Sequence, residues 1–224
     1  MLKELDLGKE KVLNLSAISP KTSKDIWTKF ARIVTNITAP PFLAIPSYII
    51  LALQDQERRG VDTNFGSGLA IAVAFGATLP VILLVILHFS RKISDIHISV
   101  REQRTIPFLC TIASFTIGSF LLWLVSGPGL LTAALICYTI NTLMVMLINL
   151  RWKISVHATG VAGPLAVFTV MLGWLVAPLW LLVALVAWAR VHLRAHTLGQ
   201  VLAGSLLGYF FTLFLFIFVF HLAG

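Results

Sequence analysis

The run VAGPLAVFTVMLGWLVAPLWLLVALVAWA, residues 161–189, carries no charged side chain. A membrane-spanning helix needs about 20 mostly apolar residues. The run is therefore too long for one ordinary span and barely long enough for two. Ala177 and Pro178 offer a turn in its middle, because proline is disfavoured inside a helix and restricts the residue before it. We predict two short helices here.

The composition around this run is that of a membrane protein. Hydrophobic residues make up 58% of the 224 residues and charged residues 12%, against roughly 45–50% and 25% in soluble domains. Mean hydropathy is +0.93. We therefore predict an all-α, polytopic transmembrane helical bundle of about seven spans, formed as one unit. Besides the two helices above, the spans are expected at residues 40–54, 69–88, 108–125, 129–149 and 200–222.

The basic residues give this bundle an orientation. With seven spans, fifteen of the 17 Lys and Arg residues fall on one side and only Arg58 and Arg59 on the other. Short basic loops stay in the cytoplasm. We predict a multi-pass cell-membrane protein with a cytoplasmic N-terminus and cytoplasmic basic loops. A single helix over residues 161–189 would move Arg190 to the far side and weaken this asymmetry.

Residues 1–36 are predicted to be a cytoplasmic segment with an amphipathic interfacial helix, and residues 37–224 a single transmembrane domain. The helix has an apolar stripe with cations beside it, which is typical of a helix in the headgroup region. Packing on its own protein is the alternative. The stripe consists of Ile26, Trp27, Phe30, Ile33 and Val34, and the cations are Lys24, Lys29 and Arg32.

With seven spans, the segments around Arg104, His157 and His196 emerge on the same side of the membrane and can converge. Arginine forks match phosphate oxygens, lysine adds a point charge, and two histidines can divide nucleophilic and acid chemistry. Topology or lipid-headgroup binding is the alternative role for each cation. The remaining histidines, His88, His97, His192 and His221, are interpreted as solvated. The converging polar residues are Arg101, Arg104, Lys153, Ser155, His157, Arg190, Arg194 and His196.

Three short patterns resemble the motifs of the type 2 phosphatidic acid phosphatase superfamily, integral membrane lipid phosphatases, over residues 66–222. In ARVHLRAHTLGQVLAG, Arg190 and His196 have the spacing of the third motif, with Gln200 where the family has Asp. ISVHATG places Ser155 and His157 in register with the second motif, although its Pro and Gly are missing. Arg104 matches the Arg of a divergent first motif, in which His97 takes the place of Lys.

The resemblance implies a role for each matched residue within a six-helix core. His196 would be the nucleophile that forms a phosphohistidine, and His157 the general acid. Arg104, Arg190 and Ser155 would hold the phosphoryl oxygens. The family needs no metal or other cofactor, and none is expected here. We predict that Lys153 replaces the charge of the missing Lys.

Gln200 has two interpretations that stay open. It lies four residues after His196, so the two side chains share a helix face. Its carbonyl can accept a hydrogen bond from the imidazole and fix the tautomer, but it brings no negative charge. Alternatively, Thr197 and Gln200 form a capping box.

The predicted function is hydrolysis of a lipid phosphate or prenyl (di)phosphate by an integral membrane phosphatase. Its expected partners are that substrate and the lipid bilayer, with no nucleic acid. A catalytically weak family member that binds or transports lipid phosphates is the alternative. The plainest alternative is a membrane protein whose basic loops only set topology.

Overall fold

The computed structural model describes residues 20–59 and 64–220. The predictions for residues 1–19 and for His221 therefore lie outside the described residues. Within these ranges all regular structure is helical. The main helices are α1 (Pro20–Ile37), α2 (Pro40–Arg59), α3 (Phe65–Phe89), α4 (Thr105–Ser126), α5 (Leu130–Asn149), α6 (Val156–Leu172), α7 (Trp180–His192) and α8 (Leu198–Phe218).

Five helical runs in the described ranges are long and apolar enough to cross a membrane. The pair Asp25–Ile37 and Pro40–Arg59, bent by 46°, adds a sixth candidate. Large apolar side chains such as Phe120, Trp123 and Phe218 are exposed on the outside of the bundle, which suits lipid rather than water. The five runs are Phe65–Phe89, Arg101–Ser126, Leu130–Asn149, Val156–His192 and Leu198–Phe218.

The run Val156–His192 reverses direction between α6 and α7. A straight helix of its 37 residues would separate its ends by about 55 Å. Instead, α6 and α8 run in parallel, since a Cβ on Gly204 would lie 2.6 Å from Ser155 O and one on Gly208 would lie 2.5 Å from Thr159 O. Helix α7 must therefore return to the end where α6 began. The reversal occupies the 3₁₀ segment Gly173–Leu179, which contains the predicted turn.

Helix α1 packs on α7 through a narrow face. Ala31 and Val34 are buried in a cluster with Val183 and Val186, and the small Ala31 side chain permits close approach. Of the predicted stripe only Val34 is buried, while Ile26, Trp27, Phe30 and Ile33 are exposed. The stripe is thus not one buried face. It divides between a contact with the protein and a surface that faces outward.

A wide π turn, Ala74–Thr78, interrupts α3. Hydroxyl groups from neighbouring helices bond its carbonyls: Tyr48 Oη donates to Gly76 O at 3.3 Å, and Ser114 Oγ donates to Phe75 O at 2.6 Å. A Cβ on Gly76 would collide with the Tyr48 hydroxyl. These contacts hold α2, α3 and α4 around a space inside the bundle.

At one end of the bundle, hydrogen bonds join the end of α2 and the residue before α3 to the end of α4. Arg59 Nη2 donates to Ser126 O at 2.7 Å, and Asn64 Nδ2 donates to Val125 O at 2.7 Å. The turn after α4 therefore lies beside the end of α2. The loops with the predicted site residues lie at the opposite end.

Candidate functional site

Three loops meet at one end of the bundle. Arg101 Nη1 donates to Leu150 O at 2.7 Å, which joins the segment before α4 to the loop after α5. Lys153 Nζ donates to Ala195 O at 3.1 Å, and Ser155 N donates to Gln200 O at 3.2 Å. The structure thus brings together the three segments that carry Arg104, His157 and His196.

Arg104 is fixed at the start of α4 and is only 3% exposed. Its Nε donates to Ile98 O at 2.8 Å, and its Nη1 donates to Ile154 O at 3.2 Å and lies 3.5 Å from Asn149 Oδ1. These bonds use Nε and Nη1, and no hydrogen bond of Nη2 is found among the described residues. The side chain also lines the cavity described below, so Nη2 is available to a ligand.

Arg190, in the last turn of α7, is 5% exposed, and its buried Nε has no hydrogen-bond partner in the described part of the chain. None of the ion pairs found among the described residues includes Arg104 or Arg190. A buried cation without an ion-pair partner is costly. Two of them at one end of the bundle favour the binding of an anion there.

The charge of Asp95 acts on both arginines from the loop after α3. Burial raises the pKa of this carboxyl, but hydrogen bonds from Ser99 and Ser94 outweigh burial and hold the pKa below its usual value. Ser99 N donates to Asp95 Oδ2 at 3.0 Å. Asp95 is thus an anion engaged by its own loop, and sequence reasoning did not single it out.

His196 is held in one tautomer. Gln200 Oε1 lies 3.1 Å from His196 Nδ1 and accepts a hydrogen bond from Thr197 N at 3.1 Å. Because the atom that accepts from a backbone N–H must be the amide oxygen, Nδ1 must carry the proton. The lone pair of the neutral ring is therefore on Nε2.

The surroundings of His196 keep it neutral. Burial, followed by the positive charges of Arg190 and Arg104, lowers the pKa of His196 to about 4. The side chain is 6% exposed and lines the cavity. At neutral pH it is an uncharged imidazole with a free lone pair, which is the form that a nucleophile requires.

Gln200 makes both contacts that the sequence suggested. Besides its contact with His196, it completes a capping box with Thr197 at the start of α8. One turn later, Gly204 allows α8 to approach the carbonyl of Ser155 closely. These contacts set the position of His196 relative to the start of α6.

His157 lies in the first turn of α6. It is buried, it lines the cavity, and its Nε2 has no hydrogen-bond partner within the described ranges. Ser155 is the N-cap of this helix, and its Oγ accepts from Ala158 N at 3.4 Å. Two histidines, one on α6 and one just before α8, thus face one space.

Lys153, Ser155 and Arg190 are not among the residues that line the cavity. Lys153 supports the loop that carries His196, through Ala195 O. Burial, then Arg104 and Arg190, lowers the pKa of Lys153, so its charge lies close to theirs. The three residues belong to the same end of the bundle, outside the cavity wall.

His97 is a further residue of the cavity wall, and its ring centroid lies 6.1 Å from that of His157. It is exposed, as the solvated interpretation requires, yet it faces the site. Burial and then the charge of Arg190 lower its pKa, while Asp95 opposes the shift. Its register with Arg104 was the sequence signal that pointed here.

The cavity has a volume of about 590 Å³, within the range of small-molecule sites. Its polar end is formed by His97, Arg104, His157 and His196. From there it extends between α2, α3, α4, α5 and α6 along mostly apolar side chains. Phe42 and Val81 belong to its lining and are exposed, so the cavity reaches the outer surface of the bundle there.

Among the described residues, no group of three or more His, Cys, Asp or Glu side chains is arranged to hold a metal ion. No protein-family model, curated protein or solved structure matches this chain. Its function is therefore inferred from the chemistry of the site itself.

Proposed function

We propose that the protein is an integral membrane phosphatase that hydrolyses a lipid phosphate or a prenyl (di)phosphate through a phosphohistidine at His196. One observation carries the proposal. A neutral His196 with its lone pair on Nε2 shares the polar end of an apolar cavity with His157 and Arg104. A phosphorylated headgroup fits this polar end, and a hydrocarbon tail fits the apolar remainder.

The reaction begins with binding of the phosphoryl oxygens. Arg104 donates from the cavity wall. Arg190, whose Nε lacks a partner among the described residues, and Lys153 add positive charge from outside the lining. Preorganised cations stabilise the charge on the equatorial oxygens of the transition state.

His196 Nε2 then attacks phosphorus, and the bond from phosphorus to the lipid oxygen breaks. With the negative charge of the bound phosphate beside it, His157 is protonated and donates its Nε2 proton to that leaving oxygen. In the second half, a water molecule attacks the phosphohistidine and His157 takes its proton. The N–P bond breaks, inorganic phosphate leaves, and both histidines return to their starting forms.

We further propose that the chain is a divergent member of the type 2 phosphatidic acid phosphatase superfamily with seven spans. The motif register at Arg104, His157 and His196 and the reversal between α6 and α7 support this. The excess of basic residues at the site end favours a cytoplasmic site. A cysteine placed beside Lys153 should then resist an impermeant thiol reagent in cells, and one beside Arg58 should react with it.

The activity is tested on protein purified in detergent. Phosphate release is measured from phosphatidic acid, phosphatidylglycerol phosphate and prenyl mono- and diphosphates. His196→Ala and His157→Ala should abolish release, whereas His192→Ala, an exposed histidine outside the cavity lining, should not. Release that survives His196→Ala contradicts the phosphohistidine mechanism.

A second candidate is a protein that binds or transports lipid phosphates without efficient hydrolysis. Gln200 favours it, because a neutral amide stabilises a charged or phosphorylated imidazole less than a carboxylate does. Tight binding of a lipid phosphate, with no phosphate release from any substrate, would select this candidate.

A further inference from the structure

A second group of polar atoms lies in the apolar part of the cavity, on α5. Tyr138 and Asn141 both line the cavity, and their spacing of three residues places them on one helix face. Tyr138 Oη and Asn141 Oδ1 are buried without a hydrogen-bond partner in the described part of the chain. Asn141 as a whole is 6% exposed.

Buried polar groups are normally hydrogen-bonded, and leaving them unpartnered destabilises a protein. The other end of the Asn141 amide is occupied, since its Nδ2 lies 2.8 Å from Thr212 Oγ1. A threonine hydroxyl can donate or accept, so the amide can present either its oxygen or its NH₂ group to the cavity. Together with the tyrosine hydroxyl, it can donate hydrogen bonds to an acceptor inside the cavity.

The distance of Tyr138 and Asn141 from the polar end of the cavity can be estimated along α6. Thr212 Oγ1 would lie 3.5 Å from a Cβ on Gly163, so Asn141 is level with Gly163. Gly163 follows His157 by six residues on α6, which is about 9 Å along the helix axis. At roughly 1.2 Å per bond in an extended chain, this depth corresponds to about seven bonds from a phosphorus atom held near His157.

We propose that Tyr138 and Asn141 bind an ester carbonyl of the lipid tail, so that the substrate class is a glycerolipid phosphate rather than a prenyl phosphate. This inference rests on the proposed function of the same site. In a glycerolipid phosphate the ester carbonyl oxygens lie six or seven bonds from phosphorus, which matches the depth of the pair. A prenyl chain has no acceptor at any depth and would leave both side chains unpartnered.

The test compares three substrates of matched tail length: a diacyl phosphatidic acid, its dialkyl ether analogue and a prenyl monophosphate. The wild type should prefer the diacyl over the ether substrate in kcat/KM by about 3- to 10-fold, the range expected for one hydrogen bond. Tyr138→Phe and Asn141→Ala should remove this preference by lowering turnover of the diacyl substrate alone. Tyr138→Phe keeps the ring that packs near Tyr48 and Phe115, so it should fold.

A control variant separates recognition from folding. Thr139→Val changes a neighbouring polar residue on α5 that does not line the cavity and bonds Leu135 O. It should keep the preference for the diacyl substrate, even if its overall turnover falls.

The outcomes distinguish this inference from the proposed function. Equal turnover of diacyl and ether substrates by the wild type overturns the inference alone, as does an equal loss on both in Tyr138→Phe. If no substrate is hydrolysed, the phosphatase proposal fails, and the same three lipids are compared by displacement of a radiolabelled phosphatidic acid. Tighter binding of the diacyl lipid then supports the inference, whereas equal binding, or none, overturns it.

Discussion

Gln200 Oε1 accepts two hydrogen bonds, from His196 Nδ1 and from the backbone N–H of Thr197, each at 3.1 Å. The first bond orients a side chain of the cavity wall, and the second caps the helix on which Gln200 lies. A single amide oxygen thus couples the tautomer of His196 to the start of α8. The hydrogen bond to this neutral amide also raises the pKa of the imidazole, but burial and the charges of Arg190 and Arg104 outweigh it.

Replacement of Gln200 by glutamate should move the acid limb of the pH–rate profile. A protonated His196 cannot attack phosphorus, so wild-type kcat/KM should fall only as pH drops through the pKa of about 4. Gln200→Glu places a negative charge beside the ring and raises this pKa, so the limb should move to higher pH. Gln200→Met, which has no charge, is the control, and an unmoved limb in Gln200→Glu would contradict the assigned nucleophile.

The buried neutral His196 should also make the fold sensitive to acid. Its pKa is about 4 in the fold, against an ordinary value of 6.5, so the unfolded chain binds more protons between these values. Stability is therefore fully present above pH 6.5 and falls as pH decreases toward 4, by roughly 3 kcal/mol at most. Thermal unfolding in detergent from pH 7.5 to 4 should show a smaller decline for His196→Gln, and parallel curves would refute this.

Arg190→Met should weaken anion binding without lowering the stability of the ligand-free protein. The arginine is buried, has no ion-pair partner in the described ranges, and has an unpartnered Nε, so an apolar side chain of similar size should leave the apo fold equally or more stable. Inorganic phosphate should raise the melting temperature of the wild type but much less that of the variant. Arg101→Met, which removes a bond to Leu150 O outside the cavity wall, is the control. An equal phosphate effect in both variants would exclude Arg190 from the anion site.

Lys153→Ala should lower both turnover and phosphate affinity. The ammonium group holds the loop of His196 through Ala195 O at 3.1 Å and lies near two arginines. Lys153→Arg, which keeps the charge, should retain more activity than Lys153→Ala in both measurements. If turnover and phosphate affinity stay unchanged in Lys153→Ala, the lysine has no part in the site.

Gly204→Ala should damage the site through packing alone. The added Cβ would lie 2.6 Å from Ser155 O, so α8 must move away from α6 and carry His196 with it. We expect a loss of about 1–3 kcal/mol in stability, as for other overpacked sites, and a fall in kcat. Gly199→Ala is a matched control on the same helix, since its nearest neighbour is 4.0 Å away. Equal melting temperatures for the two variants would contradict the close approach of α8.

Long apolar runs predicted most of the helices, because hydropathy depends on composition and not on tertiary contacts. Pro178 likewise indicated the reversal that returns Arg190 to the site. It was harder to predict which side chains line the cavity. Lys153 and Ser155 lie in the predicted loop but outside the cavity lining, because both are held against the segment of Ala195 to Gly204.

The stripe on α1 could not be placed either. Amphipathic periodicity defines an apolar face but does not say whether lipid or protein covers it. In the structure α1 contacts α7 through Ala31 and Val34. His97 and Asp95 lie in a loop without regular periodicity, so only tertiary structure brings them to the site. The count of seven spans stays a prediction beside the five runs and the bent pair found in the described residues.

The reversal at residues 173–179 also determines the order in which the site can form during synthesis. His157, Arg190 and His196 lie on α6, on α7 and just before α8, and domains fold from the N-terminus as the chain is made. A nascent chain that has inserted only as far as α7 holds His157 and Arg190 but not His196. Under the proposed mechanism, the newly made protein therefore cannot hydrolyse a lipid phosphate until the chain beyond α7 is in place.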